Sequence, residues 1–162
     1  MDRSGEPFVR LPAIYHTSSN DTYFTVSLDI FGDGSVAGSE FETVESLGEA
    51  IENGTIVFEV PDGSRISISD LCSVDKALGI TGFVFPDEVI KELDDIVAAL
   101  SGRPTSLEQC SARYHEYSKS RTAESLEALR TAYARVPRHC RALVLGDMDA
   151  KDGPIRRALG LA

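Results

Sequence analysis

The sequence has no apolar run approaching the roughly 18 residues that would cross a bilayer, and its opening residues, Met1 to Glu6, are polar where a secretory leader turns apolar. No membrane span is expected, and a cytoplasmic location is. Cysteine is scarce as well. Cys72, Cys110 and Cys140 are odd in number, far apart and without a Cys-x-x-Cys pair, which argues against a disulfide framework or a structural zinc site and predicts free, buried thiols. Nucleophile, base and orienting group do not stand together at any recognisable spacing, so no enzyme class follows from a motif. Cations are few in residues 1 to 102, which hold 5 Lys and Arg against 19 Asp and Glu, a net charge of −14; residues 103 to 162 hold 11 against 7, a net charge of +4. Such a field disfavours nucleic acid over the first half and steers a basic partner toward it. The plainer alternative is that the acidic half keeps the chain soluble and docks its own basic half.

What is present is a globular composition. At 162 residues, 42% hydrophobic and 26% charged, the chain is long enough to bury the core of one ordinary domain. Residues 8 to 15 are apolar but broken by Pro12, and read as an edge strand or extended lead-in. Phe24, Val26, Leu28 and Ile30 alternate with polar neighbours and define the clearest strand. Asp33-Gly34 then turns the chain into a short strand near residues 35 to 37. A calcium loop over Asp29 to Glu40 fails at its third position, Phe31, and the hairpin explains the segment better. A short acidic helix follows over residues 43 to 53, with Ser46 and Glu49 spaced as a capping box and Asn53-Gly54 as its stop. Two further alternating runs, Ile56 to Val60 and Arg65 to Ser69, flank Pro61-Asp62-Gly63 and predict a second hairpin. Residues 82 to 85 read as a short strand or a plug in the core. From Pro86 the pattern turns helical, with Val89, Ile90, Leu93, Ile96, Val97 and Leu100 as the apolar stripe and Glu88 among the polar face. Thr105 with Glu108 opens a helix whose seam is Leu107, Cys110, Tyr114 and Tyr117. Thr122 opens another with Leu126, Leu129, Tyr133 and Val136, and the two should form an antiparallel hairpin. The run Ala142 to Leu145 favours a buried strand by its length. The predicted class is α+β: an antiparallel sheet of four to five strands with one short helix, then a mainly helical half packed on it. Gly102-Arg103-Pro104 is short for a linker, so residues 1 to 162 read as a single domain, with an acidic sheet-rich half (1 to 85) and a helical half (86 to 162), a monomer or weak homodimer that unfolds as one.

The densest chemistry lies between Gly146 and Arg157, where Asp147, Asp149 and Asp152 crowd against Lys151, Arg156 and Arg157. In the structural reading, Asp152 or Gly153 caps a terminal helix carrying Pro154 in its first turn, while Asp147 or Asp149 pairs with Arg156 or Arg157. The alternative is a magnesium or calcium site on Asp147, Asp149 and Asp152 serving a metal-dependent enzyme, against which stands the wrong spacing for a calcium hand. No cofactor is expected on the first reading. His16, His115 and His139 read as surface or local packing residues, because the adjacency of His139 and Cys140 in sequence does not pair their side chains. Arg121, Arg130, Arg135, Arg138 and Arg141 lack the interleaved aromatics of a nucleic-acid surface and read as solvated helix faces. Glu45, Glu49 and Glu52 are the candidate partner-steering residues.

The segment Val136-Pro137-Arg138-His139, then Leu143 to Asp152 and Pro154-Ile155-Arg156, resembles an uncharacterised family of small bacterial proteins that share a Gly-Asp-Met-Asp, Lys-Asp, Ile-Arg ending. Phe24 to Gly34, the helix ending Asn53-Gly54 and Val60-Pro61-Asp62-Gly63 are similar to a sheet module of another uncharacterised bacterial group. Some members of that group look like immunity proteins of toxin systems. The resemblance implies an immunity or antitoxin-like protein that masks a basic partner, and it carries no catalytic residues across.

Overall fold

The alternation over residues 24–30 lies at the centre of a sheet. In the computed structural model, which describes residues 5–68, 71–76, 85–146 and 149–161, strands β1 (Phe8–Thr17) and β2 (Thr22–Phe31) form an antiparallel ladder in register from Phe8 opposite Phe31 to Thr17 opposite Thr22. Asp33 tightens the turn that follows by accepting the Ser35 N–H at 3.0 Å, and β3 (Val36–Ala37) returns against β2. Helix α1 (Val44–Glu52) opens at Thr43, whose side chain accepts from the Ser46 N–H while the Ser46 hydroxyl accepts the Thr43 N–H at 3.2 Å. The capping box is thus Thr43 with Ser46, three residues earlier than the spacing of Ser46 and Glu49 suggests. Only Thr43 has the extended backbone that a cap requires, with φ −137° and ψ 161°.

The second expected hairpin does not form. Strand β4 (Ile56–Val57) pairs with β1, while β5 (Arg65–Ile68) crosses to the far side of β2 and pairs with it in parallel. Strand β6 (Cys72–Val74) then adds antiparallel to β5, giving a six-stranded mixed sheet of order β4-β1-β2-β5-β6 with β3 also on β2. Burial explains the difference. Ile56 lies in the cluster beneath the helices, whereas Val60, of the same parity, lies with Tyr23 and Ile66 in a separate cluster. Residues 56 to 60 therefore cannot continue as one flat strand. The Pro61-Asp62-Gly63 turn is real, with Gly63 at φ +84°, but it redirects the chain rather than folding it back on itself.

Helix α2 (Pro86–Leu100) starts with proline in its first turn, where the missing N–H costs nothing, and buries Val89, Leu93 and Val97. Together with Leu47, Ala50 and Ile51 of α1 these cover Ala13, Leu28 and Ile30 on one face of the sheet. Glu88, expected on the polar face, is instead 3% exposed and accepts from Lys91 Nζ at 3.1 Å; a carboxylate in the first turn also meets the positive end of the helix. Of the segment read as a strand or core plug, residues 82–84 lie outside the described residues, and Phe85 is 60% exposed. Cys72 is exposed on β6, Cys110 is buried and Cys140 partly so, which corrects the expectation of three buried thiols. Among the described residues no helix is long and apolar enough to cross a membrane.

The chain divides into two compact units, Met1–Ser101 and Gly102–Ala162, so α2 belongs with the sheet. In the second unit α3 (Ser106–Ser120) is opened by the Thr105 and Glu108 capping box and α4 (Ala123–Arg135) by Thr122. Arg121, in the left-handed region at φ 49°, makes the tight connection between them. Their seams close a core of Cys110, Leu129, Tyr133 and Val136, joined by Val144 and by Ile155 and Leu159 of α5 (Gly153–Leu159). Residues Arg138–Leu143 form a 3-10 helix, so Ala142 to Leu145 is not a strand. Successive i to i+3 bonds carry the backbone, Val144 N–H to Arg141 and Gly146 N–H to Leu143, and Val144 alone is buried there while Leu143 is 47% exposed.

Candidate functional site: a carboxylate-lined groove

Helix α1 presents two faces. Leu47, Ala50 and Ile51 enter the core, and the opposite stripe, Val44, Glu45, Gly48, Glu49 and Glu52, lines a groove closed on its other side by Ile90, Leu93 and Asp94 of α2. The groove has a volume of about 220 Å³. Its floor is apolar and its four ionisable lining residues are all carboxylates, with no cation among the described residues that line it. Glu45, Glu49 and Glu52, singled out as the carboxylates of a short acidic helix in the acidic half, share one surface. Sequence reasoning missed the α2 side, Asp94 with Ile90 and Leu93. The signal was present in the boundary of the α2 stripe, but which helix would face which is not encoded in periodicity.

The aspartate turn lies in the second unit and is built differently from expectation. Asp147 lies outside the described residues. Asp152 occupies the position before α5 without a side-chain capping bond; its backbone, at φ −92° and ψ 6°, is not the extended form of a cap. Its Oδ2 instead accepts the Tyr133 hydroxyl at 2.5 Å, tying the turn to α4. Burial first, and then this bond, push the Tyr133 phenol up to about 12. The Arg141 guanidinium covers the Tyr133 ring at 4.7 Å and donates from Nε to the Val136 carbonyl at 3.2 Å. Arg156 donates from Nη2 to the Leu161 carbonyl at 3.1 Å, closing the far end of α5, and Arg157 is exposed. Gly146, at φ 68°, lies in the turn after the 3-10 helix, and Asp149 is exposed. Among the described residues no group of three or more His, Cys, Asp or Glu could hold a metal ion.

The remaining candidates are local. His16 Nε2 meets Asp21 Oδ1 at 3.0 Å and its ring stacks on Tyr23 at 4.5 Å. His115 Nδ1 bonds the Ser111 carbonyl at 2.8 Å, and His139 is exposed on the 3-10 helix. Of the arginine series, Arg130 pairs with Glu127 at 3.5 Å, and Arg121 and Arg135 are exposed. Cys110, buried beside the hairpin seam, has its thiol pushed up to about 11 by burial, the opposite of what a nucleophile needs. A second, shallow trough of about 540 Å³ in this unit is lined mainly by Leu107, Ala112, Leu143, Val144 and Leu145, with His115 at its rim. Glu108 and Ser111 line it too, and His115 Nδ1 is engaged by the Ser111 backbone carbonyl.

Fold and groove together define an α+β chain with a helix-walled, carboxylate-rimmed groove in its first unit. The chain belongs to the family of the domain of unknown function DUF7638, whose model matches residues 9–104, and residues 105–160 match a second domain of unknown function, DUF7639. The join between the matches falls three residues from the division between the compact units. No curated protein and no solved structure matches the chain.

Proposed function

We propose that this is a protein-binding module whose first unit takes a basic partner in the groove between α1 and α2. It acts in the cytoplasm, as a monomer or weak homodimer, in the manner of an immunity or antitoxin-like protein that masks a basic surface. The observation that carries the reading is the convergence of Glu45, Glu49, Glu52 and Asp94 on one groove with an apolar floor. Association needs complementary shape and charge rather than chemistry, and shape and charge are what the groove offers. Volume supports the same view. A cavity of about 220 Å³ is smaller than the roughly 300–1,000 Å³ that encloses a small molecule, so it admits a few side chains of a larger partner.

The test compares the parent chain with the triple variant Glu45→Lys, Glu49→Lys, Glu52→Lys. A partner captured by the parent and identified by mass spectrometry should associate at a rate that falls as salt rises, because exposed charges are screened beyond about 8 Å at physiological ionic strength. The triple variant should associate about tenfold more slowly or worse. Association indifferent to salt and to all three reversals would overturn the reading.

A further inference from the structure

Gly48 has no steric reason to be glycine. It stands in the interior of α1, where glycine is the least favourable residue after proline, and a Cβ built on it meets nothing within 4 Å. The contrast with the same unit is sharp: a Cβ on Gly32 would lie 3.0 Å from the Leu100 backbone, and one on Gly38 would lie 2.3 Å from the Ser27 carbonyl oxygen. Those two glycines are required by the fold, and Gly48 is not. The open space above it is the groove itself, between Val44 on its own helix and Ile90 and Leu93 on the other.

Resting on the protein-binding reading, we infer that Gly48 is the point of close approach for the partner, and that the partner presents an amphipathic basic helix. One apolar side chain of that helix seats over Gly48 against Val44, Ile90 and Leu93, where the absent methyl lets it reach the α1 backbone. Its lysines and arginines meet Glu45, Glu49, Glu52 and Asp94. Two lines support a helix as occupant. A groove between two helices accepts the ridge of a third, the mode in which an amphipathic helix lays its apolar face into an apolar-floored groove. Every ionisable side chain lining the groove is acidic, so charge selects a basic helix over an acidic one.

The experiment uses the full chain and two synthetic peptides of identical Leu, Lys and Arg composition, one with leucine at i, i+3, i+4 and i+7 and one scrambled to lack an apolar face. Binding is followed by calorimetry and by amide shifts. The amphipathic peptide should perturb residues 44–52 and 90–94 and bind more tightly than the scramble. Gly48→Ala should melt a few degrees higher, because alanine is the better helix former, yet bind this peptide about tenfold more weakly. Gly48→Leu, which fills the groove, should abolish binding. If Gly48→Ala binds as tightly as the parent, or if both peptides bind alike through salt-sensitive attraction alone, this inference is overturned while the acidic groove stands. If neither peptide shifts the groove residues, both readings fall.

Discussion

Tyr133 shows how a single side chain reassigns a motif. Seam periodicity placed it in the hairpin core, and that is where it lies, but its hydroxyl reaches across 19 positions of sequence to Asp152 and takes the carboxylate that turn chemistry had assigned to a helix cap. The bond has a pH signature. The phenol is raised from 10.0 to about 12 in the folded chain, so below pH 10 it is protonated in both states and its contribution is complete. Between pH 10 and about 12 the unfolded chain ionises first, binds fewer protons, and stability falls by up to about 1.4 kcal/mol per pH unit. Cys110, raised from 9.0 to about 11, adds a loss of the same sign over a slightly lower window. Urea titrations at stepped pH should therefore show the second unit weakening above pH 9, with Tyr133→Phe removing the later part of the fall. At pH 7 Tyr133→Phe and Asp152→Ala should each cost about 1–3 kcal/mol, and the double variant much less than their sum. Fully additive costs would show that the bond does not couple them.

At the scale of elements, Pro12 sits in the middle of a ten-residue strand without breaking it. The His16 N–H bonds the Thr55 carbonyl on the β4 side, so even-numbered residues of β1 direct their backbone groups that way. Because β4 reaches only Ile14 and Tyr15, the nitrogen of Pro12 faces a stretch of edge that no described strand covers. The reading of an edge strand was thus right for half of β1 and wrong for the other half. Gly38, just after β3, tests how tightly that corner is built. Gly38→Ala must strain a backbone at φ +92° and drive a methyl into the Ser27 carbonyl, which should cost about 2 kcal/mol or more. Gly63→Ala carries similar strain at φ +84° with open space around it and should cost less. Equal costs, measured by chemical denaturation, would mean that the packing of the chain after β3 against β2 yields to the methyl.

Over the whole molecule, charge is unevenly spent. The first unit carries 19 of the 26 acidic residues and only 5 of the 16 Lys and Arg. Among its few cations Arg10 is committed to Asp29, at 2.7 and 2.8 Å, and Lys91 to Glu88. Self-repulsion at this density opposes folding and is relieved by counter-ions. Raising sodium chloride from about 20 to about 300 mM should therefore raise the melting temperature of the first unit by about 4 °C or more, the shift expected for roughly 1 kcal/mol in a domain of this size. A melting temperature that falls with salt would mean that its ion pairs outweigh its repulsion. The same repulsion is the attraction that the groove offers to a basic partner.

What the sequence determined by itself is what depends on neighbours along the chain. The strand at residues 24–30, the spans of α1 through α4, the caps at Thr105 and Thr122, the stop at Asn53 and the acidity of the α1 stripe all follow from periodicity, side-chain hydrogen bonding and counting. What only tertiary structure decided is partnership across space. Alternation says that residues 65–68 form a strand, but the same pattern is satisfied by either edge and either direction, so the parallel union of β5 with β2 arose from where Ile56 and Val60 could each be buried. Likewise three glutamates on a helix are only a charged stripe until α2 brings Asp94, Ile90 and Leu93 opposite them. Asp152 is a cap by its place in the chain and a tyrosine's acceptor by its place in the fold, because a phenol already half-desolvated by the core gains more from a carboxylate than the exposed end of α5 does.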